Sequence, residues 1–150
     1  MKRIRIIGIG SPFGQDQLGW HVLDQLRNNM TEETNTYEIR FIQSDRPGLR
    51  LLELIKDTDT AILVDAIDNK NRMGQILKLD RADLLTNENA LSSHALGVSE
   101  ALSLGEALGD LPARLVLFGV CVDGSEPEPA YHAAQLAQLC DRIRDYVASC

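Results

Sequence analysis

Apolar residues along this chain fall into short runs of two kinds. Arg3–Ile9 is isoleucine-rich, alternating with arginine and then nearly continuous, which predicts a first strand. Between Asp16 and Asn29, Leu18, Val22, Leu23 and Leu26 recur at helical spacing and predict a first helix. Tyr37–Gln43 alternates as a second strand. Asp45-Arg46-Pro47-Gly48 is a turn, and Leu49–Ile55 reads as a short helix. Thr60–Ile67 is almost unbroken in apolar character, as expected of a central strand buried on both faces. Gln75–Leu79 alternates as an edge strand, and Asp80–Ala90 is polar, a loop with room for one helical turn. Ser92-Ser93-His94 precedes a helical run carrying Leu96, Val98, Ala101, Leu102, Leu104 and Leu108, with a serine placed to cap it. Arg114–Val120 is another buried strand. After a loop over Asp123–Pro129, Ala130–Val147 is a closing amphipathic helix.

The order β-α-β-α-β-β-α-β-α predicts an α/β fold, a three-layer α/β/α sandwich around a mostly parallel twisted sheet of about five strands. Right-handed crossovers place helices on both faces. The length of 150 residues suits one domain over 1–150. Composition adds little beyond exclusions. A net charge of −7 argues against a nucleic-acid partner. No apolar run reaches the roughly 20 residues of a membrane helix, so no membrane partner is expected. The start of the chain runs straight into a strand without a signal-peptide pattern. Cys121, Cys140 and Cys150 are odd in number and widely spaced, which fits neither a disulfide framework nor a zinc module. A reducing, cytoplasmic setting follows.

Chemistry is expected at the carboxyl ends of the strands. Three polar residues fall at equivalent places there: Asp16 between the first strand and its helix, Asp65 at the end of a central strand, and His94 just before a helix. Two carboxylates and an imidazole form an O,O,N set suited to a borderline divalent metal with an open position for substrate or water. Each also has a plainer reading. Asp16 can cap the first helix, Asp65 can bind turn amides, and His94 can lie on the surface at a helix start. Asp68 competes with Asp65 for any role. Gly8 and Gly10 are only part of a dinucleotide fingerprint, whose third glycine would fall at Phe13; a tight turn and close packing account for them better. Gly-x-Ser-x-Gly is absent, and no cysteine stands as a nucleophile. His21 and His132 read as helix-surface residues, and Trp20 as a core anchor.

Taken together these residues resemble the hydrogenase maturation endopeptidases, which trim the large subunit of nickel–iron hydrogenases. Gly8-Ile9-Gly10-Ser11-Pro12-Phe13-Gly14-Gln15-Asp16-Gln17-Leu18-Gly19 resembles the family's opening G-x-G-N-P-L-x-x-D-D/E-x-x-G, with one residue fewer. Val64-Asp65-Ala66 resembles its central Val-Asp-Ala, and Ser92-Ser93-His94 its Ser-x-His before a helix. Asp45-Arg46-Pro47-Gly48 is similar to its Asp-Gly-Gly/Thr-x-Gly turn, and Phe118-Gly119-Val120 to its Ile-Gly-Ile strand. The chain departs from the pattern at Gln15, where the first of two acids is usual, at Ser11 in place of Asn, and in the loop before the last helix, which lacks Leu-Ser.

The resemblance implies a phosphorylase/hydrolase-like α/β/α fold. It implies an aspartic-type endopeptidase that removes a C-terminal peptide from the nickel-loaded large-subunit precursor. Asp16, Asp65 and His94 are then both the catalytic and the metal-contacting trio, with Asp68 in reserve. By the same resemblance the nickel is supplied by the precursor, and other divalent metals can stand in for it. The partner implied is that precursor, met by a monomer. A metal-dependent chaperone that binds the precursor without cutting it, and a small nucleotide-binding protein using Gly8 and Gly10, are the alternatives.

Overall fold

The computed structural model describes residues 1–10, 17–45, 47–86, 98–123 and 133–150. Its centre is a five-stranded sheet in the order β2-β1-β3-β5-β4. The strands are β1 (Lys2–Gly10), β2 (Tyr37–Asp45), β3 (Thr60–Asp68), β4 (Ile76–Asp80) and β5 (Arg114–Val122). The first three and β5 are mutually parallel, and only β4 runs antiparallel, against β5. The helices are α1 (Leu18–Asn29), α2 (Leu51–Ile55), α3 (Arg81–Thr86), α4 (Val98–Leu108) and α5 (Ala133–Ala148). None of the described helices is long and apolar enough to cross a membrane.

Period-two alternation in the strands divides the core into two layers. Ile4, Ile6, Ile62, Val64, Val116 and Phe118 face Leu23 and Leu26 of α1 and Leu139 and Ile143 of α5. Ile7, Ile9, Leu63, Ile67 and Leu117 face Leu51 and Ile55 of α2 and Ala101 and Leu102 of α4. β3 and β5 are apolar on both sides because both faces are covered, which is why their sequences lack alternation. β4 reverses direction because its link from β3 carries no crossover helix. Residues 69–75 instead pass over the end of β5, where Asn69 N–H donates to the Val122 carbonyl and Gly74 N–H to the Cys121 carbonyl.

The structure extends the expected elements more than it replaces them. β1, β2, β3 and β5 each run to nine residues. The segment read as loop over Asp80–Ala90 contains α3. Its start is a reciprocal box: Asp83 N–H donates to Asp80 Oδ1 at 3.0 Å, and Asp80 N–H donates to Asp83 Oδ2 at 3.1 Å. Two aspartates three apart thus satisfy each other's amides in the way Ser and Glu usually do. The short helix at 49–55 is a 3-10 turn over Gly48–Arg50 that leads into α2. Gly109 ends α4 with φ +71, its N–H returning to the Glu106 carbonyl, the left-handed exit that glycine permits.

Candidate functional site

Asp65 is the one residue of the predicted trio that the structure describes; Asp16 and His94, like His132, lie outside the described residues. β3 carries Asp65 near its carboxyl end, paired in register with Gly119 of β5. Its side chain is 1% exposed. The carboxylate Oδ1 accepts the Ala66 N–H at 2.8 Å, which fixes the side chain against its own strand. Asp65 shares the parity of Ala61, Leu63 and Ile67, so it belongs to the face covered by α2 and α4. Asp68 has the opposite parity and is exposed, so the two acids leave the strand on different sides of the sheet.

Glycines set the space around this rim. Gly119 stands beside Asp65, and a Cβ there would come within 2.7 Å of both the Asp65 carbonyl oxygen and Ile67 Cδ1. Gly19, in the first turn of α1, lies so close to the sheet that a Cβ would meet the Val64 oxygen at 2.7 Å and the Ile9 oxygen at 2.8 Å. Gly8 completes the contact from below: its Cβ would lie 2.6 Å from the Gly19 oxygen and 2.2 Å from Leu23 Cδ1. The start of α1 is therefore seated on the carboxyl ends of β1 and β3, next to Asp65. This assigns Gly8 to packing, as the sequence favours, and leaves its half of a dinucleotide fingerprint unused.

Other residues fall partly as expected. His21 is exposed on α1. Trp20 differs from the expected core anchor: it is half-buried, and its indole Nε1 has no hydrogen-bond partner among the described residues. Ser44 was not legible as a site residue. It is buried at the carboxyl end of β2, with Arg50 Nη2 donating to its Oγ at 3.5 Å. The alternation of β2 placed it inward, but only the crossing of Gly48–Arg50 over the strand end brings the arginine to it. Among the described residues no three His, Cys, Asp or Glu side chains gather into a metal cluster.

The cysteines are free thiols, with Cys121 and Cys140 buried. Burial raises the Cys121 thiol above its usual range, with Arg72 opposing. Burial pushes Cys140 up to about 11, with Arg144 opposing and Asp141 assisting. Thiolate is the reactive form, so both are poor nucleophiles at neutral pH. In the native protein, iodoacetamide is therefore expected to label Cys150 well before Cys121 and Cys140, as peptide mass spectrometry would read. Prompt native labelling of Cys140 would contradict this. Because folding holds the Cys140 proton more tightly than the unfolded chain does, its contribution to stability is intact below pH 9 and is lost as pH rises through about 11.

Comparison with known proteins supplies the family. The model of a family described as hydrogenase maturation protease (HycI) matches residues 20–137. Hydrogenase expression/formation protein HupD of Bradyrhizobium diazoefficiens is 30% identical over 122 residues, covering 79% of this chain and 62% of that protein. Hydrogenase 2 maturation protease of Escherichia coli K12 is 28% identical over 130 residues, covering 83% and 76%. The match spans only 53–62% of the length of three HupD relatives. The structure of the hydrogenase maturating endopeptidase HybD from E. coli superposes with a TM-score of 0.78 at 24% identity, covering 98% of this chain and 93% of that one, and shares the fold. The family match contains Asp65, the neighbouring strand β5 and the helices α2 and α4 that cover the face Asp65 shares, and by it the chain belongs to the hydrogenase maturation protease family.

Proposed function

We propose that this chain is a cytoplasmic, monomeric endopeptidase that removes a C-terminal peptide from the nickel-loaded precursor of a nickel–iron hydrogenase large subunit. The observation that carries the reading is the buried Asp65 carboxylate at the carboxyl rim of the sheet, inside the family match. A carboxylate held out of water is costly, and a divalent cation beside it offsets that cost. Asp65, Asp16 and His94 are assigned as the O,O,N donors that meet the precursor's nickel, a set that suits a borderline ion and would also accept other divalent metals. The metal arrives with the substrate, so recognition and chemistry share one site. Cleavage is hydrolysis of an aspartic type: water adds to the scissile carbonyl carbon, the C–N bond breaks, and the proton goes to the leaving amine. A metal ion next to that carbonyl polarises it or lowers the pKa of the attacking water, so no serine or cysteine nucleophile is needed. Ala66 N–H keeps Asp65 oriented through the cycle.

The test is mass spectrometry of a large-subunit precursor incubated with the protein, with and without nickel loaded. Loss of a C-terminal peptide from the nickel-loaded form alone is the expected result. Nickel-dependent co-elution without cleavage would replace the peptidase by a chaperone. Neither cleavage nor binding would overturn both.

A further inference from the structure

β2 is one of the two terminal strands of the sheet, at the end opposite β4. Its odd-numbered residues turn their backbone groups outward. Over the first half that edge is already covered: Thr34 N–H donates to the Tyr37 carbonyl at 2.9 Å, and Ile39 N–H donates to the Glu32 carbonyl at 2.6 Å. Arg27 Nη2 donates to the Phe41 carbonyl at 3.1 Å, with its guanidinium 5.8 Å from the Phe41 ring centre. Beyond that point, among the described residues, the outward N–H of Phe41 and the N–H and carbonyl of Gln43 face no other strand. Such an edge is a template for an added strand.

The side chains around the edge are basic in a chain whose net charge is −7. A hollow of about 550 Å³ is lined by Arg5, Arg27 and Arg40 against a single carboxylate, Glu32. Arg40 is 66% exposed, and its ion pair with Glu38 at 3.0 Å is a surface pair that a ligand can outcompete. Register places the free edge relative to the rim. Gln43 lies level with Gly8 of β1, and Gly8 lies level with Val64, the residue before Asp65. A strand added outside β2 would stand about 14 Å from β3, three inter-strand spacings. About four extended residues cover that distance. A segment running along Phe41–Gln43 toward the rim can therefore turn over the ends of β2 and β1 and present its next residues to Asp65.

We infer that the free half of the β2 edge, with Arg5, Arg27 and Arg40 beside it, binds an extended, acid-bearing segment of the precursor as an added strand. This inference rests on the function proposed above. It places the recognition of substrate backbone at one end of the sheet edge and the chemistry at the rim. Backbone pairing supplies affinity, and the arginines select for carboxylates in the paired segment.

Steady-state processing of the nickel-loaded precursor tests it. Gln43→Pro removes the outward N–H while an edge position tolerates the ring. It should raise KM about tenfold, the worth of one good backbone hydrogen bond, and leave kcat near wild type. Gln43→Ala keeps the N–H and should retain most of the affinity. Arg40→Glu should raise KM several-fold at low salt, with the difference fading at high salt. Should the proline variant misfold, hydrogen exchange on wild-type protein decides: the Phe41 and Gln43 amides should slow on addition of precursor. Normal processing by a folded Gln43→Pro protein, or unchanged exchange at both amides while the precursor is cleaved, would overturn the edge and leave the peptidase standing. A wild-type protein that neither binds nor cuts the precursor would overturn the functional reading, and this inference with it.

Discussion

Asp65→Asn is expected to leave the fold intact and to cut precursor processing by about 10²–10⁴-fold, the range associated with loss of a positioned acid–base group. Asparagine is nearly the same size, and its side-chain oxygen can still accept the Ala66 N–H that Asp65 Oδ1 accepts at 2.8 Å. What disappears is the negative charge at a site that is 1% exposed. Removing a buried charge does not itself threaten the fold, because holding an anion out of water is costly there. Asp65→Ala is the poorer experiment. It takes away the acceptor that the Ala66 N–H meets at 2.8 Å and so mixes folding with chemistry. The measurement is single-turnover cleavage of nickel-loaded precursor, with thermal melts in parallel. Processing close to the wild-type rate in a folded Asp65→Asn protein would remove Asp65 from the mechanism. Asp68→Asn is the matched control, since Asp68 leaves β3 on the other face, and its activity should stay close to wild type. Equal losses in both variants would mean that the carboxylates act through the field of the rim as a whole.

Gly19→Ala should destabilise the protein even though helix propensity favours the change. In an exposed helix interior, alanine gains about 1 kcal/mol over glycine. At Gly19 the added Cβ would meet three backbone atoms: the Val64 oxygen at 2.7 Å, the Ile9 oxygen at 2.8 Å and the Ile9 nitrogen at 3.1 Å. None of these can rotate away, because β1 and β3 are central strands buried on both faces. Helix α1 must lift off the sheet instead, which also loosens Leu18, Val22 and Leu23 in the core. Overpacking of this kind costs about 1–3 kcal/mol and outweighs the propensity gain. A fall in Tm of several degrees is expected from Gly19→Ala, at about 2–4 °C per kcal/mol for a chain of this size. Gly19→Val should be worse. Activity should fall further than stability alone explains, since the displaced turn adjoins Asp65. An unchanged or raised Tm would show that α1 can shift without cost and that the close approach is incidental.

Gly8 differs in kind from Gly19. Its shortest prospective contact, 2.2 Å, is with the end of the Leu23 side chain, which can change rotamer; the Gly19 oxygen at 2.6 Å cannot move as easily. The two glycines face each other across one interface, so their effects should not add.

Much of this molecule was open to reading before any coordinates. Period-two and period-3.6 patterns are local, and with the order of the elements they marked all five strands, the mostly parallel arrangement and an edge strand at Gln75–Leu79. The unbroken run ending in Asp65 already said that a carboxylate sits where β3 is buried on both sides. The pattern over Asp80–Ala90 leaves room for a helical turn but does not fix the helix at Arg81–Thr86, for a physical reason: Asp80 and Asp83 are each ordinary loop residues, and only their reciprocal spacing makes a helix start. Trp20 was misjudged because hydrophobicity predicts burial in general, whereas its place at the rim leaves it half-exposed.

The remaining features depend on which distant segments touch. Strand parity separates Asp65 from Asp68, but naming the face each one meets requires the helices to be in place. The glycines at 8, 19 and 119 look like turn and strand breaks in the chain, and become spacers only where α1 crosses β1 and β3 and where β5 pairs with β3. Arg5, Arg27 and Arg40 lie on three different elements, and nothing in their spacing joins them until β1 and β2 pair and α1 packs across them. Periodicity is written in neighbours a few residues apart and survives in the bare chain. Proximity of residues tens of positions apart is created by sheet order and close packing, and so the elements were legible while the spaces between them were not.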